Sequence, residues 1–599
     1  MKFLQFKKVN SGVIGTLKIL WSHLSYIRKC QFIALLFLML FVSCTEIVSI
    51  GVVLPFLSAL VSPEEIFKNN YIKPILQFIQ INDLLEFRLF ITFLFIATVV
   101  FSTIFRILLL WASNYLSYSC GNELSVAVYR RILYQPYTYH CNSNTSELIN
   151  GISYKTDLFT QTLTMVLTLI SSLILIFCVS IFLCYLNPFI SFVIFSCFGL
   201  IYLVVIYFTK KKLLQSSKVI AHQSSSVIKY IQEGLGSIRD ILLDNNQEEY
   251  CKTYKSADFL MRKAQSSVLF ISNSPRYLIE SLGIFIIAVL AYKLSETATG
   301  LSDGIPLIGA LALGAQKLLP VFQQAYGSFS QVLGNEAAIF DVNKLLNQEL
   351  PKNSKENFSR WVSWKRIKLK NIYFRYSYSS PYVLNDLNFS ISTGNKIGII
   401  GESGAGKSTL VDIFMGLLKP TKGSLEVDGE VISAKNIKSW QLKIAHVPQA
   451  LFLKDGTIME NIAFGIPVNQ IDFDHVRACA KKAQLDFVVD ALPNNYKTMV
   501  GERGIRLSGG QVQRIGIARA LYKNPDIIIF DEATSSLDIK TEFEVMKAIN
   551  NLSKDFTVLI ITHRLSTLKS CDKIFEIKKG IIKKILSHKK MVNKVKYDN

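Results

Sequence analysis

The chain has 599 residues, of which 50% are hydrophobic and 18% charged, and its 66 Lys and Arg against 44 Asp and Glu give a net charge of +22. Soluble proteins average about 25% charged residues, and the apolar excess lies mostly before residue 340, so a wholly soluble chain and a disordered chain are excluded. Residues 341–599 carry +14 of the charge, which a basic surface beside an anionic membrane leaflet explains better than a nucleic-acid partner does.

The N-terminal segment is basic and precedes a long apolar run. Its first 29 residues hold six Lys or Arg and no acidic residue, so the positive-inside rule places this end in the cytosol. Residues 10–28 are amphipathic, which indicates a helix at the membrane interface. No cleavable signal peptide is evident, because the apolar run is too long and starts late.

Two apolar stretches carry one charge each. Cys30–Ser62 contains Glu46, and Leu89–Trp111 contains Arg106. An intramembrane charge costs about 2.5–3.5 kcal/mol on insertion scales, so each side chain should face the bundle interior or water. The segment 65–81, between these stretches, is either a short amphipathic element on the outer side or a surface loop.

The segment 158–209 contains 52 residues and no Asp, Glu, Lys, Arg or His. As a helix it would extend about 78 Å, while the hydrocarbon core is about 30 Å thick, so it must cross twice. The break is predicted at Asn187-Pro188, where a turn-forming residue precedes a proline.

The last two crossings are predicted at stretches that carry Arg276, Glu280 and Lys317. The motifs described below predict that the second domain is cytosolic like the N-terminus, so the number of crossings is even, and six fits. The predicted organisation is a transmembrane domain over 1–340, with spans at about 32–60, 89–111, 161–184, 188–208, 276–293 and 304–325; helical extensions into the cytosol over 112–160 and 209–268, with a turn at 230–241; a linker over 341–365; and a second domain over 366–599 with a basic tail.

A glycine-rich loop follows a short apolar strand in the second domain. The strand is KIGII (396–400), the loop is GESGAGKST, and an apolar helix begins at its end. Glycines let backbone N–H groups and the helix N-terminus surround phosphates, Lys407 reaches the terminal phosphates, and Ser408 supplies a hydroxyl for Mg²⁺. A nucleotide site is therefore predicted on Gly401, Glu402, Ser403, Gly404, Ala405, Gly406, Lys407, Ser408 and Thr409.

Polar residues follow three further apolar strands. Asp531 and Glu532 come after IIIF (527–530); the side chains of neighbouring strand residues point to opposite faces, so Asp531 is predicted to hold Mg²⁺ and Glu532 to polarise the attacking water as general base. His563 and Gln449 also follow strands and are expected at the same sheet edge as catalytic residues, with Gln449 a further Mg²⁺ ligand. The alternatives are an acidic pair on an ordinary surface and a structural histidine.

The segment RLSGGQ (506–511) precedes an amphipathic helix. A glycine-containing helix N-terminus binds anions through its backbone N–H groups. A second phosphate-binding element is therefore predicted on Ser508, Gly509, Gly510 and Gln511.

These motifs, with VPQ (447–449), IIIFDEATSSLD and THR in this order, resemble an ATP-binding cassette. Behind six spans, the whole chain resembles a half-size ABC exporter. The resemblance implies an α-helical six-span membrane domain with long cytosolic extensions, followed by an α/β P-loop domain.

The same resemblance implies a dimer, most simply a homodimer, in which two cassettes pack head to tail. Each ATP with its Mg²⁺ would lie between the phosphate loop of one copy and the LSGGQ residues of the other. Tyr376 would stack on adenine, Asp538 would couple the two sites, and Glu502 would contact the membrane arms.

The spans resemble, more loosely, those of bacterial flippases of lipid-linked oligosaccharides, over 43–63, 274–283 and 317–323. This resemblance implies a lipid-linked glycan as cargo, moved across the bacterial cytoplasmic (inner) membrane by a protein with both termini in the cytosol. Cationic side chains on the path would pair with the pyrophosphate of the cargo, or else with acidic side chains of the protein. The candidates for this path are Glu46, Arg106, Arg276 and Glu280.

Other functions compatible with the sequence fall into three classes. A multidrug, lipid or peptide exporter shares the predicted fold. An ATP-gated channel or regulator would conduct ions without stoichiometric hydrolysis. A soluble chromosome-handling or ribosome-associated ATPase shares the cassette but lacks membrane spans.

Overall fold

The computed structural model describes residues 13–61, 83–186, 188–295, 319–350, 364–533, 556–564 and 570–586, with residues 542–544, 547 and 568. The chain forms two compact units. One comprises Met1–Gln135 and Asn142–Pro351, and the other comprises Pro136–Cys141 and Lys352–Asn599.

Helices build the first unit. In chain order the helices before the second domain are α1 (Val13–Ser22), α2 (Tyr26–Gly51), α3 (Val53–Val61), α4 (Leu84–Leu133), α5 (Tyr137–Asn142), α6 (Thr145–Ile152), α7 (Tyr154–Leu186), α8 (Pro188–Gly236), α9 (Ile238–Asp244), α10 (Gln247–Asn273), α11 (Pro275–Ser295), α12 (319–334) and α13 (Glu336–Leu346). Among the described residues, three stretches are long and apolar enough to cross a membrane: Tyr26–Gly51, Leu84–Leu133 and Thr145–Tyr185.

Several predicted features have direct counterparts in these helices. α7 ends at Leu186 and α8 begins at Pro188, on either side of the predicted break. α4 and α8 continue well beyond the predicted spans and have 50 and 49 residues. Most of the predicted span 304–325 lies outside the described residues, as do the segment 65–81, much of the predicted linker and the end of the basic tail.

The predicted turn over 230–241 contains a break between helices. α8 ends at Gly236, α9 begins at Ile238, and α10 packs along α8. A second break follows at Asn245, which has a φ of 54° and donates its N–H to the carbonyl of Ile241. Asparagine tolerates the left-handed conformation that ends a helix.

Small and polar side chains connect the helices of the first unit. A Cβ added at Gly121 of α4 would lie 2.2 Å from Thr160 Oγ1 of α7, so these helices approach closely only because residue 121 is glycine. Asn150 donates to Ser224 Oγ at 2.9 Å and to Ser225 Oγ at 2.8 Å. These contacts fix the helical extensions relative to one another.

The second unit contains two sheets. Its strands are β1 (Arg366–Phe374), β2 (Leu384–Ser392), β3 (Lys396–Gly401), β4 (Lys422–Val427), β5 (Glu430–Val431), β6 (Ile444–Val447), β7 (Ile527–Asp531), β8 (Thr557–Ile561), β9 (Lys573–Lys578) and β10 (Ile581–Leu586). The first sheet is antiparallel, with the order β2-β1-β4-β5. The second has the order β10-β9-β3-β8-β7-β6, and only β10 is antiparallel to its neighbour.

The six-stranded sheet is buried on both faces. Along β7, Ile528 and Phe530 enter one apolar cluster, while Ile527 and Ile529 enter the other. This double burial explains why the strand is a continuous apolar run in the sequence. The helices of this unit are α5, whose residues 137–141 belong to it, and α14 (Lys407–Phe414), α15 (Ile437–Gln441), α16 (Ile458–Ile462), α17 (Phe473–Lys482), α18 (Asp486–Asp490) and α19 (Gly509–Tyr522).

Candidate nucleotide-binding site

The order of the strands brings distant residues to one sheet edge. β3, β8, β7 and β6 are adjacent and parallel, so their carboxyl ends lie side by side. The phosphate loop follows β3, His563 follows β8, Asp531 ends β7, and Gln449 follows β6. The predicted residues from these four strands therefore meet, although they are separated by up to 162 positions in the sequence.

The phosphate loop requires glycine at both of its ends. Gly401 pairs with Ile577 of β9, and a Cβ at residue 401 would lie 2.3 Å from the Ile577 carbonyl oxygen. Gly406 has a φ of 96° and caps the N-terminus of α14. Between these residues Glu402, Ser403 and Gly404 are exposed. The loop thus presents backbone groups and a helix N-terminus, which together favour an anion.

Lys407 lies inside this loop and is only 7% exposed. Its Nζ donates to the carbonyl oxygens of Gly401 at 2.8 Å and Glu402 at 3.1 Å. The same atom lies 3.1 Å from Nε2 of His563. The ammonium group is therefore held at the loop, where phosphate oxygens can replace the carbonyl oxygens as its partners.

Glu532 connects three of the four strand ends. Its Oε1 lies 3.0 Å from His563 Nε2, and its Oε2 accepts a hydrogen bond from Gln449 Nε2 at 2.9 Å. Its backbone N–H donates to the carbonyl of Ile561 at 2.9 Å. Lys407, His563, Glu532 and Gln449 thus form one continuous series of contacts.

The reason that Asp531 and Glu532 diverge differs from the one predicted. β7 ends at Asp531, and Glu532 has a φ of 46°, so left-handed backbone rather than strand alternation directs its side chain. This conformation costs a non-glycine residue of order 1 kcal/mol and persists where neighbouring contacts hold it. The hydrogen bonds to Ile561 and Gln449 supply those contacts.

Negative charge accumulates beside the loop. Burial raises the pKa of Asp531, as does the charge of Glu532, while Lys407 opposes them. Burial and the charge of Asp531 raise the pKa of Asp412 to about 6. A divalent cation would relieve this repulsion, and the hydroxyl of Ser408, the amide oxygen of Gln449 and the carboxylate of Asp531 are the hard oxygen donors that Mg²⁺ prefers.

Tyr376 follows β1 and is 45% exposed. Its hydroxyl lies 3.1 Å from Thr409 Oγ1 in α14, and its ring meets that of Phe374 edge-on. The preceding residue, Arg375, donates to the Tyr378 carbonyl at 2.7 Å. An exposed aromatic face is thereby held beside the phosphate loop, where it can stack on a base.

The LSGGQ residues form a capped helix N-terminus. Ser508 Oγ accepts from the Gln511 N–H at 3.3 Å, and Gln511 Oε1 accepts from the Ser508 N–H at 2.9 Å. α19 then begins at Gly509. Across the described part of the chain, no hydrogen bond joins Ser508, Gly509, Gly510 or Gln511 to the phosphate loop, so the structure does not bring these two predicted elements together.

One residue of the site was missed in the sequence. Gln513 is 3% exposed, and its Nε2 donates to the Gln449 carbonyl at 2.9 Å. It lies on the buried face of α19 with Ile517 and Ala520. A polar side chain at helical spacing within an apolar stripe is the sequence signal that could have identified it.

The remaining predicted residues are placed as follows. Glu502 is exposed at the start of a short 3₁₀ turn, and Asp538 lies outside the described residues. Among the intramembrane candidates, Arg106 Nη1 lies 3.9 Å from Glu46 Oε1, and Arg276 Nε donates to Glu280 Oε1 at 2.5 Å. Both cations therefore contact acidic side chains of the protein, which is the alternative to contact with the cargo.

Comparisons with known proteins match both halves of the chain. The family model described as ABC transporter matches residues 384–535, and that described as ABC transporter transmembrane region matches residues 32–296. A solved structure, a bacterial Atm1-family ABC exporter with ATP bound, has a TM-score of 0.71 at 22% identity and covers 92% of this chain and 96% of its own. That likeness shows the fold.

Two relatives illustrate how far the sequence similarity extends. The ABC transporter ATM1 of Toxoplasma gondii is 41% identical over 36% of this chain and 19% of its own length. The ATP-dependent lipid A-core flippase of Ralstonia nicotianae is 26% identical over 79% of this chain and 80% of its own. The first four curated relatives are matched over 19% to 47% of their own length.

Both family models lie on one polypeptide, in the order membrane region then cassette, and the phosphate loop, the acidic strand end and the capped LSGGQ helix have the geometry described above. The chain therefore belongs to the ABC transporters and has the organisation of a half-size exporter, with a transmembrane region fused to an ATP-binding domain.

Proposed function

We propose that the protein is an ATP-driven exporter or flippase that hydrolyses ATP at the edge of its six-stranded sheet. The observation that supports this most directly is the contact series from Lys407 through His563 and Glu532 to Gln449. It joins a phosphate-binding cation to a carboxylate suited to act on water. A protein that only bound nucleotide would not need this carboxylate.

In this mechanism Glu532 is the general base. Gln449 and His563 contact its two oxygens, one on each side, so the carboxylate is oriented before substrate arrives. Lys407 and the N–H groups at the start of α14 bind the phosphates and stabilise the charge that develops on them. Ser408, Gln449 and Asp531 would hold Mg²⁺, which neutralises phosphate charge when bound.

The functional unit is proposed to be a homodimer with ATP at the interface. Ser508 Oγ accepts from the Gln511 N–H, and its own hydroxyl proton can therefore still be donated to a phosphate. Gly509 and Gly510 place no side chain over the helix N-terminus. These groups are suited to close over a nucleotide held by the phosphate loop of a second copy.

ATP can drive transport only if it binds two conformations of the dimer with different affinity. Closure of the cassettes around ATP would switch the membrane helices from inward-facing to outward-facing, and hydrolysis would reset them. We propose that this occurs in the bacterial cytoplasmic membrane with both termini in the cytosol.

The cargo is proposed to be a lipid-linked oligosaccharide or a related glycolipid. The long match to a protein named as a lipid A-core flippase supports an amphiphilic glycan-bearing cargo. Glu46 and Arg106 lie in the first unit, here called the membrane unit, where they line a cavity whose wall combines polar and apolar side chains. Arg276 and Glu280 pair along one helix and are the second candidate for the substrate path.

The test is translocation in sealed vesicles that contain the purified full-length protein. Fluorescent lipid-linked sugars and several drugs are each scored for ATP-dependent movement and for stimulation of ATPase activity. We expect glycolipid movement with wild-type protein and none with Glu532→Gln. Movement of drugs alone would favour a multidrug exporter, and ion flux without stoichiometric hydrolysis would favour a channel.

A further inference from the structure

The helix α19 is hydrogen-bonded to the loop that joins β6 to α16 (448–457). Gln513 Nε2 donates to the Gln449 carbonyl at 2.9 Å, near the start of this loop. Arg519 Nη1 donates to the Phe452 carbonyl at 3.0 Å, further along it. Two side chains of one helix therefore fix the path of the loop backbone, and a displacement of α19 would carry the loop with it.

Arg519 also fixes the later part of the loop, through Asn461 of α16. Its Nε donates to the Asn461 carbonyl at 2.8 Å, and its Nη2 donates to Asn461 Oδ1 at 3.1 Å. Asn461 Nδ2 donates to the Lys454 carbonyl, and Asn461 Oδ1 accepts from the Lys454 N–H, both at 3.0 Å. Burial lowers the pKa of Arg519 to about 10. These carbonyl oxygens, with the Phe464 ring at 4.6 Å, hold the guanidinium in one place.

Gln513 is a poor choice for the packing of α19. Its side chain is buried on the apolar face of the helix, with Ile517 and Ala520. Its Oε1 is buried without a hydrogen-bond partner in the described structure. An unsatisfied buried acceptor lowers stability, so an apolar side chain of the same size would pack here at least as well. What the amide provides is its one hydrogen bond to Gln449.

The helix and the loop each lead to a part of the nucleotide chemistry. α19 begins at Gly509 with the capped N-terminus, which is proposed to contact the nucleotide held by a second copy. The loop carries Gln449, whose side chain donates to Glu532 Oε2 at 2.9 Å. A hydrogen-bonded helix of 14 residues moves largely as one body. A displacement of its N-terminus is therefore passed through Gln513 to the contact between Gln449 and the general base.

We infer that Gln513 is a positioning residue for ATP hydrolysis, which holds Gln449 against Glu532 only while α19 is in place. The inference deepens the proposed function and rests on it for the homodimer and for the role of Glu532. In each copy, α19 contacts the nucleotide held by the partner, while Glu532 acts on the nucleotide held by its own phosphate loop. Hydrolysis at one site therefore depends on nucleotide at the other.

The experiment measures steady-state ATPase activity of the full-length protein in detergent over a series of ATP concentrations. Gln513→Met removes the hydrogen-bond donor and keeps a side chain of similar length. We expect kcat to fall about tenfold to 100-fold, because Gln449 is no longer held, while KM for ATP stays within about twofold of wild type. The Hill coefficient should fall from about 1.5 to about 1. The unfolding temperature should not decrease, because a buried unsatisfied oxygen is removed.

A double-mutant cycle tests whether Gln513 acts through Gln449. In Gln449→Ala the side chain to be positioned is absent, so adding Gln513→Met should lower kcat by less than about a further twofold. Ile517→Ala is the matched control, because it removes a buried side chain from the same face of α19 that has no polar atom to hold the loop. It should lower the unfolding temperature and leave the Hill coefficient at the wild-type value.

An unchanged kcat or an unchanged Hill coefficient in Gln513→Met would overturn the inference. So would an undiminished effect of Gln513→Met in the Gln449→Ala background, which would show that residue 513 does not act through Gln449. If Gln513→Met does not fold, Gln513→Asn gives the same test, because its shorter side chain withdraws the amide from the Gln449 carbonyl. Active wild type with an unaffected variant refutes this inference alone, whereas wild type without ATPase activity refutes the proposed function.

Discussion

Polar side chains are organised in opposite ways in the two units of the molecule. At the sheet edge of the cassette, side chains from four strands contact one another at 2.9–3.1 Å. In the membrane unit, most polar side chains satisfy themselves locally: Thr103 bonds its own helix, and Arg276 bonds Glu280 one turn away. Some polar contacts do join helices, as those of Asn150 with Ser224 and Ser225 do, but the pair Glu46 and Arg106 between α2 and α4 is loose at 3.9 Å.

This difference reflects what each unit must do. A series of mutual contacts holds groups in a fixed arrangement, which favours chemistry on one invariant substrate. Side chains that bond only to their own helix do not depend on partners across a cavity, so a cargo can become their partner. Four changes would break or sharpen this contrast, from the largest expected effect to the smallest.

Replacement of Glu532 by Gln tests whether the linked site is catalytic. The amide keeps the size of the side chain but cannot take a proton from water, so we expect steady-state ATPase activity to fall about 100-fold to 10,000-fold. ATP binding, measured by equilibrium dialysis, should persist. Glu430→Gln is the control, because that carboxylate is exposed on the other sheet. Unchanged turnover in Glu532→Gln would remove this residue from the role of base.

His446 is a polar residue of the cassette that does not belong to the contact series. Its Nε2 is buried without a hydrogen-bond partner in the described structure, and burial, with the charge of Lys523, lowers its pKa to about 4. The unfolded chain therefore takes up a proton at a higher pH than the folded chain does. As a result, the free energy of unfolding decreases as the pH falls from about 6.5 towards 4.

Wild type should therefore lose up to about 3 kcal/mol of its free energy of unfolding between pH 7 and pH 4 through His446, and we expect His446→Gln to remove this loss. The measurement is the unfolding temperature of wild type and variant at pH 7.5 and pH 4.5. His475→Gln is the matched control, because that ring contacts the Tyr522 carbonyl at 3.1 Å. The prediction would be contradicted if the unfolding temperatures of wild type and His446→Gln differed by the same amount at pH 7.5 and pH 4.5.

Gly121 tests how tightly the membrane helices pack. A side chain at this position would collide with Thr160 on α7, and overpacking of this kind typically costs about 1–3 kcal/mol. We expect Gly121→Val to lower the unfolding temperature in detergent. Gly199→Ala should be neutral, since no atom lies within 4 Å of its added Cβ. Equal effects of the two substitutions would show that the close approach is not limiting.

Arg276→Gln should have the smallest effect. Its partner lies one turn away on the same helix, and both side chains are exposed, so solvent weakens the pair and it contributes little to stability. The unfolding temperature should therefore stay close to that of the wild type. A loss of glycolipid transport at unchanged stability would instead place the substrate path along α11.

The cassette could be predicted from its sequence further than the membrane unit could. Residues of the phosphate loop and the strand ends occur in short motifs whose spacing is fixed by local backbone geometry, and adjacent parallel strands then bring those motifs together. Gln513 was missed because its role depends on a contact with Gln449, 64 positions away. The left-handed backbone of Glu532 also depends on a neighbouring strand rather than on local sequence.

For the membrane unit, hydropathy predicts where helices cross but not how they face one another. Contact of Arg106 and Arg276 with acidic side chains was one of two alternatives that the sequence left open. The sequence did not show that one pair joins two helices and the other lies on a single helix, because the first depends on packing between α2 and α4 and the second only on helical spacing. The helix break after Gly236 was predicted, whereas the second break at Asn245 was not. A hydropathy profile also does not predict which polar side chains of different helices line a common cavity.

The 49 residues of α8 form one helix from Pro188 to Gly236. At 1.5 Å per residue such a rod is about 74 Å long, and tilting it by about 5° displaces its far end by about 6 Å. A small rotation at one end of this helix therefore moves the other end by several ångströms. The bending stiffness of the helix, rather than any single side chain, would then determine how much of this movement reaches the other end.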